Sequence, residues 1–275
     1  MDESERERPK KKHRSTAARG DQESNAPSLE PKSKQRTRKK SKRRSRHTAK
    51  ALESFDTKAV LKVAIRLYRS WLCAINPYPE DNSRDVAASQ AWSEACHLKE
   101  FEGQEFNETL RLLIVRRGSQ VRGELVTKAR PIVKGYFGFH SGKDDYDVDH
   151  NRDLVELLKA NSGYLYADPE ERVGLCESRL VQEIVNAMWF VNRVDEGVTE
   201  TTFFKPLQAV TIALVFTAIE HCIDEYSTGS QKDADFSELL CKPLQQAHLQ
   251  ILNDFEKYNS LNFASIMSDI YEMGL

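Results

Sequence analysis

From residue 55 onward, apolar side chains recur at three- and four-residue steps, the spacing that gathers them on one face of an α-helix. The first run follows Asp56, a candidate N-cap, and carries Val60, Leu61, Ala64, Leu67, Tyr68, Trp71, Leu72 and Ile75. It ends at Asn76-Pro77, because the residue before a proline avoids the helical region. A second helix is predicted over 84–98, with Val86, Ala91 or Trp92, and Ala95 as a weak inner stripe. The third pattern opens at Asn107, a good N-cap, and keeps Leu110, Ile114, Val121, Leu125, Ile132 and Tyr136 on one face. It spans roughly 30 residues, about 45 Å if unbroken. Pro131 predicts a bend, since its ring removes a backbone donor and crowds the turn before it. Gly118 offers a second place to break.

A loop over 138–150 is predicted next, then a short helix over 152–160 and a brief extended piece at "GYLYAD", residues 163–168. "DPEER" reads as a helix start, with Asp168 as cap and Pro169 at the first helical position. The helix that follows turns Leu180, Ile184, Val185, Met188 and Trp189 inward. Val210–Ile223 is apolar on every side, which marks a central helix, and Gly229 is placed to close it in a left-handed conformation. Helices over Phe236–Tyr258 and Phe263–Met273 complete the chain. No run alternates convincingly as a strand, and no repeat of 20–50 residues points to a solenoid. The predicted fold class is all-α: a single compact, irregular helical domain of about eight helices over residues 55–275.

Residues 1–54 read differently. The first fifty hold one Leu, one Met, four Ala and no aromatic residue. They cannot bury enough apolar area to offset about 1–2 kcal/mol of backbone ordering entropy per residue. A disordered N-terminal tail is therefore expected over 1–54. The net charge of −1 hides an opposition: residues 1–50 carry 18 Lys and Arg against 7 acids, and the rest carry 23 against 35. The start "MDESERER" has no apolar leader core, and no run approaches the length of a membrane helix, so no membrane partner is expected. Five widely spaced cysteines without a C-x-x-C pair fit reduced thiols in nucleus or cytosol.

The tail charge is concentrated in two clusters. "PKKKHR" supplies Lys10, Lys11, Lys12 and Arg14. "RTRKKSKRRSRH" supplies Arg36, Arg38, Lys39, Lys40, Lys42, Arg43, Arg44 and Arg46. Such clusters serve as nuclear import signals, as sequence-independent contacts to nucleic-acid phosphates, or as solubilising arms. The leading expectation is recognition by the nuclear import machinery and residence in the nucleus, otherwise the cytoplasm. Ser33, Ser41 and Ser45 lie among these cations, where phosphorylation would cut the local charge.

In the body, "DYDVDHNRDLVE" sets Asp145, Asp147, Asp149, Asp153 and Glu156 at the carboxylate positions of a calcium-binding loop. Position 6 of such a loop requires glycine for its sharp turn, and here it is His150; Arg152 replaces the usual aliphatic residue at position 8. The competing expectation is a helix capped by Asp149 or Asn151, with the remaining acids solvated or paired. "GSQVRGEL" has the glycine spacing of a phosphate loop but carries Glu124 and Leu125 where Lys and Ser or Thr are needed. Arg111, Arg116, Arg117, Arg122, Lys128, Arg130 and Lys134 make the third helical pattern basic, yet they spread around its axis. They read as a solvated surface paired to acids elsewhere in the chain. His221 and His248 flank inner stripes and read as satisfied core or boundary histidines; Trp71, Trp189, Phe203, Phe204 and Phe216 read as core. No cofactor and no catalytic residue is indicated.

Four segments carry a family resemblance: "RRGSQVRGELVTKARPIV" (116–133), "NRDLVELL" (151–158), "FFKPL…ALVFTAIEHCIDEYSTG" (203–229) and "IYEMG" (270–274). Over residues 55–275 the chain resembles a fungal domain family of unknown function, expanded in mushroom-forming fungi. The resemblance implies a helical domain, often preceded by a polar or basic extension, and no catalytic residues. The expected function is a non-enzymatic helical interaction module directed to the nucleus by its tail, its protein partner unspecified, with possible weak nucleic-acid affinity. A divalent-cation-binding protein or enzyme using Asp145–Glu156, and an oligomeric scaffold, are the alternatives.

Overall fold

Helix α1 spans Phe55–Ala74 in the computed structural model, which describes residues 55–102 and 105–275. Of its expected inner stripe, Val60, Leu61, Ala64, Leu67, Tyr68 and Leu72 are buried; Trp71 is only partly so, and Ile75 lies beyond the helix end and is exposed. The Asn76 side chain accepts from Tyr78 N at 3.2 Å and turns the chain. Helix α2 (Asp81–Leu98) begins three residues before its predicted start. It packs on α1 through Ala87, Ala88, Ala91, Trp92 and Ala95, while Val86 is exposed. Small alanine side chains, which a search for bulky apolar positions undervalues, let the two helices approach.

Asn107 caps α3 (Glu108–Val115), accepting from Leu110 N at 3.1 Å. The long third pattern divides at Arg116, close to Gly118, and resumes as α4 (Arg117–Phe137). Helix α4 continues through Pro131 because Ala129 and Val133, on either side, are fully buried in the core. It closes at Gly138, whose φ of 79° is the left-handed conformation that suits glycine.

The second part of the predicted loop, from Asp145 onward, is helix: α5 runs Asp145–Lys159. Asp144, unnoticed in the sequence, caps it by accepting from Asp147 N at 2.9 Å. After a 3₁₀ turn (Ala160–Leu165), β1 (Tyr166–Asp168) pairs antiparallel with β2 (Val173–Leu175), Tyr166 opposite Leu175. The extended piece is thus present, but "DPEER" is the hairpin turn and not a helix start. Asp168 accepts from Glu170 N and Glu171 N, both at 3.0 Å, an Asx turn that competes with helix initiation.

Ser178 caps α6 (Arg179–Trp189). Two single-turn helices, α7 (Glu196–Thr199) and α8 (Thr201–Phe204), form a corner before α9 (Ala209–Asp224). Helices α10 (Glu238–Tyr258) and α11 (Ser260–Glu272) complete an almost wholly helical architecture. Gly229 (φ 85°) does not cap α9, which ends at Asp224. It serves a later turn that lies against α5, where a Cβ would meet Val148 O at 2.5 Å.

Helix α9 is the centre, as predicted: every residue from Thr211 to Ile223 is buried. It packs against α4, α6, α10 and α1. Complete burial of side chains such as Phe216 and Ile219 stabilises the fold by about 1.5–3 kcal/mol each. The buried threonines of this helix are both satisfied: Thr217 donates to Ala213 O within the helix at 2.7 Å, and Thr211 donates across to Cys73 O of α1 at 3.2 Å. A second apolar cluster, built from α1, α2 and α3, sits beside this core. No helix among the described residues is long and apolar enough to cross a membrane. The basic clusters at 10–14 and 36–46, and the tail expected over 1–54, lie outside the described residues.

Candidate functional site

The amphipathic character of α1 leaves two arginines, Arg66 and Arg69, one turn apart on the side of the α7–α8 corner. Arg69 Nε meets Glu196 Oε1 at 2.5 Å and its Nη2 meets Glu124 Oε2 at 3.1 Å. Burial disfavours the Arg69 charge, but the two carboxylates outweigh it and raise its pKa. Arg66 Nε lies 2.5 Å from Glu200 Oε1, whose side chain is only 8% exposed. Thr199 adds a hydroxyl bond to the same oxygen at 3.4 Å. Two charges on one helix therefore pin the start of the corner and the junction between its two short helices.

Gly197 permits this corner to exist. A Cβ there would stand 2.6 Å from both Phe190 Cζ and Trp189 O. The close approach sets Thr199–Phe203 against α1 and α2 and encloses a cleft of about 570 Å³, within the range of ligand sites. Leu67, Trp71 and Phe203 form its apolar wall, and Gln90, Glu94 and Glu200 supply polar atoms. Of the aromatics expected in the core, Trp189, Phe204 and Phe216 are there, whereas Trp71 and Phe203 are partly exposed in this cleft.

The acidic series falls on the surface of α5 and is not gathered. Asp147 Oδ1 meets His140 Nδ1 at 2.6 Å, and Asp149 pairs with Arg152 at 3.3 Å. Asp145, Asp153 and Glu156 are spread along the same helix, and the geometry of a calcium-binding loop is lost once Asp144 starts the helix. Among the described residues no group of three or more His, Cys, Asp or Glu side chains is placed to hold a metal ion. Asn151, in place of capping, is fully buried; it accepts from His140 N at 2.8 Å and donates to Gly229 O at 2.8 Å.

The basic residues of α3 and α4 are engaged within the body. Arg111 meets Asp85 and Glu108, Lys128 meets Glu124, and Arg130 meets Glu225. Arg122 donates to Pro77 O at 2.7 Å. Each of the two inner histidines has one ring nitrogen engaged: His221 Nε2 lies 3.2 Å from Ala234 O, and His248 Nε2 lies 2.9 Å from Glu220 Oε2, while His248 Nδ1 is buried without a partner. Lys159 joins Glu220 at 3.2 Å and Asp224 at 2.6 Å. Burial pushes the Glu220 carboxyl up, but His248 and Lys159 outweigh it and hold the pKa down at about 2. This Glu220 network does not line the cleft.

The cysteines are free thiols, and all but Cys96 are buried. Burial raises Cys73 and Cys222 to about 12 and Cys241 to about 11, so these remain protonated at neutral pH and are poor nucleophiles.

Sequence reading missed the Arg66–Glu200 and Arg69–Glu196 pairs. The available signal was a pair of arginines three residues apart beside the apolar stripe of α1. No curated protein and no solved structure matches the chain. A family model described as Domain of unknown function (DUF6532) matches residues 63–255, from within α1 to near the end of α10, and the chain belongs to that family.

Proposed function

We propose that this protein is a helical interaction module that docks a partner protein in the α1–α2–α7–α8 cleft and is delivered to the nucleus by its basic clusters. The cleft is the observation that carries the reading. It joins an apolar wall of Leu67, Trp71 and Phe203 to hydrogen-bonding groups on an internally braced corner. Residues 51–275 carry an excess of twelve acids, and Glu94 is exposed on the cleft lining. The partner that fits is a segment with one bulky apolar anchor and flanking basic residues.

A photoreactive residue at Gln90 should capture a partner that Glu94→Lys releases, and the same residue at exposed Tyr146 should not. Equal capture from both positions overturns the cleft as the docking surface. A fluorescent fusion of the full chain should concentrate in the nucleus and lose that concentration when the cations of 36–46 become alanine. Cytoplasmic signal from both forms defeats the import reading.

A second reading concerns the same tail. Eight of the eleven residues 36–46 are Lys or Arg, enough to bind nucleic-acid backbones by counterion release. The paired state of Arg111, Lys128 and Arg130 leaves this task to the tail. Affinity for duplex DNA should fall steeply with salt and disappear when the tail cations are replaced by alanine. Unchanged affinity in that variant places binding elsewhere.

A further inference from the structure

A second, smaller cavity of about 130 Å³ lies between α1, α2 and the start of α4. Tyr68, Arg84, Ser119 and Arg122 line it, with Glu238 at one side. Tyr68 is fully buried, and its hydroxyl makes no hydrogen bond within the protein. Arg84 Nε is likewise buried and unpartnered. A buried donor without an acceptor costs about 1–3 kcal/mol, so two buried, unpartnered donors on side chains that line one cavity call for an acceptor.

We infer that this cavity binds a small oxyanion of the phosphate type, held by the Tyr68 and Ser119 hydroxyls and by Arg84 and Arg122. The lining is rich in donors: two guanidinium groups and two hydroxyls face a single carboxylate. An oxyanion carries several acceptor oxygens and satisfies these donors together, with charge-assisted bonds to the arginines. The volume suits it, since a water needs only about 10–15 Å³ by the same measure.

The surrounding charges favour the same ligand. Burial raises the Tyr68 pKa to about 12 despite the opposing pull of Arg84 and Arg122, so its hydroxyl keeps the proton it would donate. Arg122 is fixed by Pro77 O at 2.7 Å and by the Tyr78 ring 4.9 Å below its guanidinium. Its link to Glu238 is long, 3.5 Å, and Glu238 is 46% exposed, free to turn outward as an anion enters. Arg84 gives one nitrogen, Nη2, to Asp81 at 2.7 Å, on the exposed side. Asp85 is bound to Arg111 at 2.6 Å. The donors come from three helices, which explains why the glycine spacing of "GSQVRGEL" alone was no guide: only Gly118, Ser119 and Arg122 of that stretch reach the cavity.

Thermal unfolding of the full chain tests the site, comparing sodium phosphate with sodium chloride at equal ionic strength. Phosphate should raise the melting temperature of the wild type. Tyr68→Phe should be at least as stable as wild type in chloride, because it removes an unpartnered hydroxyl, and should bind phosphate about tenfold more weakly. Ser119→Ala should weaken phosphate binding in the same sense. The tail is identical in all forms, so its own affinity for anions cancels. Phenyl phosphate separates the sources: binding as tight as that of inorganic phosphate points to a phosphorylated side chain, and its exclusion points to the free ion. An identical phosphate response in wild type and Tyr68→Phe overturns the site. So does a Tyr68→Phe protein clearly less stable than wild type in chloride, which would mean that water already serves the hydroxyl.

Discussion

Arg130 grips Glu225 as a fork, with Nη2 at 2.7 Å and Nε at 3.0 Å from the two carboxylate oxygens. The pair joins α4 to the end of α9. The Glu225 side chain has no exposure, and Ala234 N adds a third donor at 3.1 Å. Breaking such a pair from one side strands a buried charge, which is worse than removing both partners. Arg130→Met should therefore destabilise the domain by about 3 kcal/mol, the lower end for a buried pair because Arg130 is partly exposed. The double variant Arg130→Met, Glu225→Leu should recover most of that loss. Urea unfolding checks both, and a single variant within about 0.5 kcal/mol of wild type would contradict the assignment.

Acid should unfold the domain through the same class of group. Glu220 is held at about 2 against an ordinary value of 4.5, and Glu225 and Glu124 are shifted in the same direction. A depressed carboxylate binds its proton more readily in the unfolded chain. Its contribution is complete above the unfolded value near 4.5 and drains away as pH falls toward 2. The melting temperature should decline through that window. Glu220→Gln should flatten the decline, measured by circular dichroism at fixed ionic strength.

Gly197→Ala should disturb the cleft more than a surface substitution would. The new methyl collides with a ring carbon of Phe190 and a backbone oxygen of Trp189, neither of which is the end of a flexible chain. The expected cost is about 1–3 kcal/mol, the range for overpacking. Displacement of Glu196 and Glu200 should follow, seen as altered Trp71 emission beside the cleft.

Thiol reactivity should divide the cysteines. Cys96 is partly exposed, whereas Cys73, Cys176, Cys222 and Cys241 are buried with raised thiol pKa values. A neutral-pH thiol reagent should modify Cys96 first and the others only on unfolding. Early modification of Cys73, checked by peptide mass, would contradict the packing of α1 on α9.

Local chemistry was legible wherever one residue or one stripe decided the outcome. Asn107 announced α3, and the uninterrupted apolar character of Val210–Ile223 announced the central helix. The reading failed where two local signals competed. Asp168 reads as the cap of a helix, but its side chain closes a hairpin turn, and Asp144 starts α5 within the segment expected to be a loop. Trp71 and Phe203 were grouped with the core because periodicity reports the side of a helix and not what faces it.

By itself, the sequence determined the helical class, the central helix and the charge opposition between tail and body. These follow from short-range periodicity and from counting charges. Only the tertiary structure decided which charges meet. Arg66 with Glu200, Arg130 with Glu225 and Tyr68 with two arginines are brought together by packing between different helices. An arginine pairs with whichever carboxylate the packed helices deliver, and no local pattern along the chain records that choice.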